Sequence, residues 1–210
     1  MNRLLHIVAS PRGLKSRTLA LSASFLEEMA RKHPSLVVDE LDVFSEPLPE
    51  MFAETVEGKY LLMGGRHIPP ELKERWKDIE AYINRFLAAN VILLSVPMWN
   101  FGMPYRLKHF FDIVIQPRHL FRSSKNGVEG LARGKKVFVI STRGWDYAPS
   151  RPFEGYDHLE PHLRTVFGFL GIADPVFYTG QPMDSDDEEL TKKLLIEGME
   201  KVKKLVPAVL

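Results

Sequence analysis

The chain has 210 residues, 45% of them apolar, which is enough for one well-filled core and demands no second domain. Its 28 basic and 27 acidic residues leave a formal charge of +1, so there is no global electrostatic case for nucleic acid or an anionic membrane surface as partner. With no cysteine, disulfides, thiolate catalysis and cysteine-based metal centres are excluded, and no apolar run approaches the roughly 20 residues that cross a bilayer. The expectation is a single domain over 1–210 in the cytoplasm.

In chain order, Leu4 to Ala9 is a short apolar run suited to a strand covered on both faces, and it reads as a strand more than as a signal peptide. His6 inside it reads as a packed strand histidine. Ser10 to Thr18 carries Pro and Gly punctuation and ends in a helix N-cap at Ser16. A helix then runs to about Lys32, with Leu19, Ala23, Leu26 and Ala30 on one stripe and Leu21, Phe25 and Met29 on another. Leu36 to Leu41 is the next strand. From Asp42 to Pro70 periodicity is weak and prolines and glycines are frequent, so this stretch reads as a long functional connection.

Leu72, Trp76, Ile79, Ile83, Phe86 and Leu87 keep helical spacing, after Pro69 and Pro70 and before Asn90 in C-cap position. Val91 to Val96 is a strand, and Pro104 opens a helix whose inward face is Leu107, Phe110, Phe111 and Val114. The segment around His119–Phe121 and Lys125-Asn126-Gly127 predicts a hairpin excursion. Lys136 to Ser141 is a strand, Leu159 to Leu170 a helix ended by Gly171, and Pro175 to Thr179 a last strand. The terminal helix opens on acids at 184–189 and closes on Lys201, Lys203 and Lys204, which suits the helix dipole better than a metal. Five apolar strands alternating with helices predict an α/β doubly wound parallel sheet with helices on both faces. Right-handed crossovers then bring the loops after Ala9, Val96 and Ser141 to one crevice.

Those three loops carry the chemistry. Ser10, Ser16 and Thr18 offer hydroxyls beside the free amides of a first helical turn, with Lys15 and Arg17 adding charge, which makes a phosphate seat as readily as an ordinary capped helix. Neither Gly-x-x-x-x-Gly-Lys nor Gly-x-Gly-x-x-Gly is present. Pro97-Met98-Trp99-Asn100-Phe101 supplies a flat apolar wall and a directional amide, and Thr142, Arg143 and Gly144 supply a hydroxyl, a cation and a close backbone approach. A phosphate seat next to a flat slot with donors at its rim points to a mononucleotide cofactor such as FMN. No side-chain nucleophile is required and no metal site is expected.

The same residues resemble the FMN-dependent NADH-azoreductases, a branch of the flavodoxin-like quinone reductases. The matching pieces are Ser10 with Ser16-Arg17-Thr18, then Pro97 to Pro104 with Leu107-Lys108 and Phe111-Asp112, Phe121-Arg122, Gly127, Gly130-Leu131, Gly134-Lys135-Lys136, Ser141 to Gly144, and Gly168 to Ile172. Each is weak alone, and their order along nearly the whole chain is specific. The resemblance implies a flavodoxin-like homodimer with noncovalent FMN near the subunit interface, electrons from NADH or NADPH, and a quinone or azo acceptor. It places the phosphate on Ser10, Ser16, Arg17 and Thr18 and the ring beside Met98, Trp99, Asn100 and Phe101, closed by Thr142, Arg143 and Gly144. By position it nominates Phe121, Trp145, Tyr147 and Phe167 for the acceptor pocket. The chain departs from the family's usual Tyr at Trp99, and has Trp145-Asp146-Tyr147 where relatives have a second Gly followed by His.

The rivals are weaker. A hydrolase of the acyl-carrier phosphodiesterase type would use Ser10 and His109, yet no Gly-x-Ser-x-Gly elbow exists, and His158 and His162 lack the Glu of His-Glu-x-x-His. A non-enzymatic redox module remains the other alternative. The acidic cluster of a receiver is absent from Ala9-Ser10-Pro11-Arg12.

Overall fold

Strand β1 (Arg3–Val8) is buried along its length after Arg3, as an unbroken apolar run requires when both faces of a sheet are covered. The computed structural model in which it is seen describes residues 2–125, 127–184 and 186–209. Helix α1 (Arg17–Lys32) follows, and β2 (Val37–Asp42) pairs in parallel with β1. Helices α2 (Ala53–Met63) and α3 (Pro70–Ala88) lead into β3 (Val91–Pro97), which lies on the other side of β1. After α4 (Tyr105–Val114) come the antiparallel pair β4 (Phe121–Ser124) and β5 (Gly127–Gly130), then β6 (Lys136–Thr142), α5 (Leu159–Phe169), β7 (Val176–Gly180) and α6 (Glu188–Lys204).

The main sheet has five parallel strands in the order β2-β1-β3-β6-β7, so the doubly wound expectation holds and the hairpin stands apart from it. Strand side chains alternate between two cores. Leu5, Ile7, Ile92, Leu94, Val96, Val137 and Val139 face the buried sides of α3, α4 and α5, whereas Leu4, Val91, Leu93, Phe138 and Ile140 face α1 and α6. Each fully buried Leu or Phe there stabilises the fold by about 1.5–3 kcal/mol, against roughly 0–1 for a surface ion pair. The two apolar faces therefore hold the sheet in place.

Three local differences from the sequence reading have clear causes. The stretch 42–70 contains α2, whose buried residues are Thr55, Gly58 and Leu62 and form no apolar stripe. It docks through Gly58, where a Cβ would sit 2.3 Å from Trp76 Nε1, a contact that periodicity does not register. Pro104 is the N-cap of α4 and Tyr105 its first residue. Asn90 does not cap α3; the Lys135 ammonium donates to the terminal carbonyls of Leu87 and Ala89 at 2.7 and 2.5 Å, while Asn90 Oδ1 accepts from the Arg3 amide at 3.0 Å. The hairpin forms as expected, although Asn126 of its turn lies outside the described residues. The acidic run caps α6 through Asp187, whose Oδ1 accepts from the Leu190 amide at 2.9 Å; Ser185 within that run lies outside the described residues.

Candidate functional site

The carboxyl ends of β1, β3 and β6 are neighbours in register, with Val8 opposite Ser95 and Pro97 opposite Thr142. Their loops enclose a crevice of about 230 Å³ lined by Ser10, Arg12, Ser16, Arg17 and Thr18, by Pro97, Met98 and Trp99, and by Thr142, Arg143 and Gly144. A fourth loop, after β7, adds Met183 and Asp184, which the sequence reading missed. The crevice opens where the strand order reverses, the position at which doubly wound sheets take ligands.

In the first loop, Gly13 takes φ of +53°, which lets a 3-10 turn over Gly13–Lys15 precede α1. Ser16 Oγ accepts from the Leu19 amide at 3.3 Å and from Ser10 Oγ at 2.9 Å, so both hydroxyls are held at the head of the helix. The backbone amides of Arg17 and Thr18 donate to no backbone carbonyl. Thr18 Oγ1 meets Thr142 Oγ1 at 2.6 Å, tying this turn to the end of β6. The arrangement presents oriented donors and a helix N-terminus to an anion. Arg17 reaches Asp184 at 3.7 Å, a partner 80% exposed at the crevice mouth.

The second loop is a tight reversal. Trp99 and Gly102 exchange backbone hydrogen bonds, N–H to O in both directions at 2.9 Å, with Asn100 and Phe101 between them at φ of 45° and 69°. Two consecutive non-glycine residues in the left-handed region carry strain of the order of 1 kcal/mol each, which functional sites tend to retain. The reversal leaves the amides of Asn100 and Phe101 without backbone acceptors. Trp99 is 36% exposed and is backed by Phe44 at 5.6 Å between ring centroids, with Tyr105 edge-on to Phe44. A flat apolar face is thus braced from behind and offered to the crevice.

The third loop corrects one expectation. Arg143 is 1% exposed and its guanidinium turns inward: Nε and Nη2 lie 2.9 and 2.6 Å from Asp157 Oδ2, and Nη1 donates to Ser141 Oγ and Thr179 Oγ1. A buried cation goes where its charge is matched, and Asp157 is that place. Arg143 therefore borders the crevice by its backbone, while its side chain anchors the strap 145–157. Along that strap Trp145 stacks on Phe153 at 4.3 Å, Tyr147 lies beside Phe153, and Tyr156 meets Phe101 of the second loop at 5.6 Å. Burial raises the Tyr147 phenol above its ordinary range, so it stays protonated near neutrality.

Two residues nominated for the pocket lie away from this crevice. Phe167 is wholly buried and packs edge-on against Phe111 in the core, because it lies on the inward face of α5. Phe121 is buried beneath the hairpin against Phe169 and lines no part of the crevice. The neighbouring glycines explain why that corner is so close: a Cβ on Gly130 would lie 2.1 Å from the Leu170 carbonyl carbon. His109 donates from Nε2 to the Pro49 carbonyl at 3.0 Å, whereas Ser10 donates to Ser16. Beside the crevice, a larger groove of about 860 Å³ starts at Trp99 and Asn100 and runs between Lys59 and Tyr60 of α2 and Lys108 and His109 of α4.

A parallel sheet that reverses its order at β1, with an anion seat and an aromatic turn at its carboxyl edge, defines a flavodoxin-like protein. The sequence profile of the flavodoxin-like fold family matches residues 2–202, and the chain belongs to that family. Among curated relatives, the FMN-dependent NADH:quinone oxidoreductase 2 of Pseudomonas syringae pv. tomato is 43% identical over 80% of this chain and 81% of its own length. The FMN-dependent NADH:quinone oxidoreductase of Nitratidesulfovibrio vulgaris is 32% identical over 98% of both chains. Of solved structures, an azoreductase from Bacillus anthracis superposes with a TM-score of 0.88 over 98% of this chain and 99% of its own, at 22% identity. An FMN-dependent NADH-azoreductase from the same species, solved with FMN, gives 0.84 at 22% identity over 99% of this chain and 100% of its own. These structural matches concern the fold.

Proposed function

We propose that the chain is an FMN-dependent NAD(P)H oxidoreductase that reduces quinones and azo compounds. The observation that carries this reading is the adjoining of the two halves of the crevice, a helix N-terminus with unengaged amides and a braced tryptophan on a strained turn. The names of the relatives agree with it. The residues fit FMN in kind: Ser10, Ser16, Arg17 and Thr18, with Arg12, for the phosphate, and Met98, Trp99 and the Asn100 and Phe101 amides for the ring. FMN held by these residues would supply two-electron hydride chemistry between a reduced nicotinamide and an acceptor, for which ping-pong kinetics are expected.

The protein's part is to bind, orient and exclude water. The first turn of α1 neutralises the phosphate, Trp99 fixes the ring plane, and the turn amides supply donors to charge developing at the ring edge. Trp145 and Tyr156, both exposed, form the acceptor side of the site. Residues 1–210 act as one FMN-binding domain, a reading supported by two cores built on one sheet. The chain pairs as a homodimer, supported by the exposed Tyr60, Trp99 and Tyr105 that line the groove. Its place is the cytoplasm, where reduced nicotinamide is supplied; among the described residues no helix is long and apolar enough to cross a membrane.

The hydrolase alternative finds no catalytic pair, since Ser10 donates to Ser16 and His109 is held at Pro49. The test is to titrate the purified chain with FMN and follow NADH and NADPH oxidation against a panel of quinones and azo dyes. A yellow complex and parallel double-reciprocal lines are expected. A chain that stays colourless with FMN and oxidises neither nucleotide would overturn the proposal.

A further inference from the structure

Beneath α1 lies a buried polar chain that the proposed chemistry does not use. His6 Nε2 is 2.7 Å from Ser95 Oγ, Ser95 Oγ is 2.6 Å from Ser22 Oγ, and Ser22 Oγ is 3.0 Å from the Thr18 carbonyl oxygen. His6, Ser22 and Ser95 are each at most 4% exposed. The direction of the chain follows from its end. A carbonyl only accepts, so Ser22 donates to Thr18; Ser95, having one proton, donates to Ser22; and His6 must donate from Nε2 to Ser95. Its other nitrogen, Nδ1, faces Glu40 Oε2 at 3.3 Å, at the floor of an open groove between α1 and β2.

We infer that His6 is a positioning residue for the FMN phosphate seat, acting through Ser95 and Ser22 on the first turn of α1. This rests on the reading that the turn seats the phosphate. The Thr18 carbonyl shares a peptide plane with the Leu19 amide, which donates to Ser16 Oγ at 3.3 Å, so a donor fixed on that carbonyl sets the tilt of the peptide that holds the Ser16 hydroxyl at the crevice. Hydrogen bonds in series also polarise one another, which makes the Leu19 amide a better donor to Ser16 Oγ and fixes that hydroxyl, with Ser10 Oγ behind it, at the phosphate seat. The chain joins β1, β3 and α1, the elements whose ends form two of the crevice walls, and Thr18 Oγ1 extends the tie to Thr142 of β6. A strand in an apolar run gains nothing from a histidine and a serine at its centre unless they brace something polar, because a buried polar group left unpaired destabilises the fold.

The experiment compares dissociation constants for FMN and for riboflavin, which has the ring and no phosphate, by flavin fluorescence quenching. The chains are the wild type, His6→Leu, His6→Gln, Ser22→Ala and the double variant His6→Leu/Ser22→Ala. His6→Leu and Ser22→Ala are each expected to raise the FMN Kd about five- to tenfold, the loss of one hydrogen bond, with riboflavin changed less than about twofold. The double variant is expected to match the singles, because one chain is broken once, and His6→Gln, which keeps a donor, restores FMN binding to within about twofold. FMN and riboflavin constants that move together, or an FMN constant that does not move, would overturn the brace while leaving the cofactor reading in place. A wild type that binds neither flavin, or binds both equally, would overturn the reading and the brace with it.

Discussion

Asp184 shows how one residue tunes an anion site. Its carboxylate lies 3.7 Å from the Arg17 guanidinium at the crevice mouth, where it both satisfies that cation and opposes a phosphate. Between exposed charges such an effect is modest and screened by salt. Asp184→Asn is therefore expected to lower the FMN Kd about two- to threefold at low ionic strength, with the gain fading near 0.5 M salt, as an FMN titration at several salt concentrations reads. His6 offers a second residue-scale test. Burial pushes its imidazole below the ordinary range, and the Glu40 carboxylate opposes that only in part. A lowered folded pKa means the unfolded chain holds more protons, so this contribution to stability is full above about pH 6.5 and is lost as pH falls toward the folded value. Urea unfolding between pH 7 and 5 should show stability falling with pH, and His6→Gln should flatten that slope. The Asp39 carboxyl, held down by Arg85 and Arg3, acts in a lower window, below about pH 4.

Among the elements, α2 and α3 show packing that depends on the absence of a side chain. A Cβ at Gly58 would lie 2.3 Å from Trp76 Nε1 and 2.7 Å from Cε2, and Trp76 is 1% exposed, so neither helix yields without opening the core beneath it. Gly58→Ala adds helix propensity worth up to about 1 kcal/mol, yet the clash forces the indole off its site at about 1–3 kcal/mol. Net destabilisation of roughly 1–2 kcal/mol is expected, read as a lower urea midpoint with an unchanged m-value. Because α2 also lines the groove that starts at Trp99, the same variant should alter acceptor KM while leaving the FMN Kd unchanged. The turn at Asn100 and Phe101 is the opposite case, an element of two strained residues held by the bonds between Trp99 and Gly102 and by the Phe101 carbonyl accepting from His158.

For the molecule as a whole, the ion pair of Arg143 and Asp157 ties the end of β6 to the start of α5 and closes the strap between them. Asp157 also accepts from the Leu159 and Glu160 amides through Oδ1, so one carboxylate caps a helix and neutralises a buried cation. Asp157→Asn keeps the cap acceptor and leaves Arg143 buried without a counter-charge, and a loss of about 3–5 kcal/mol is expected by denaturant unfolding. The replacement Arg143→Met leaves only a partly exposed carboxylate and should cost less. Equal losses from the two would place the energy elsewhere.

The sequence alone determined what depends on local pattern: the apolar runs of β1, β3 and β6, the cap at Ser16, the amphipathic face of α3, and from their alternation the doubly wound sheet that gathers Ser10, Thr18, Pro97 to Phe101 and Thr142 at one edge. Periodicity and capping are properties of neighbours in the chain, so they are readable there. Tertiary structure decided what depends on distant partners. Whether Arg143 faces a ligand or Asp157, whether Phe167 lines a pocket or fills the core, whether α2 exists without an apolar stripe, and whether Met183 and Asp184 complete the crevice all turn on which surfaces meet. Each was settled by the free energy of burying a particular group against a partner far away in sequence.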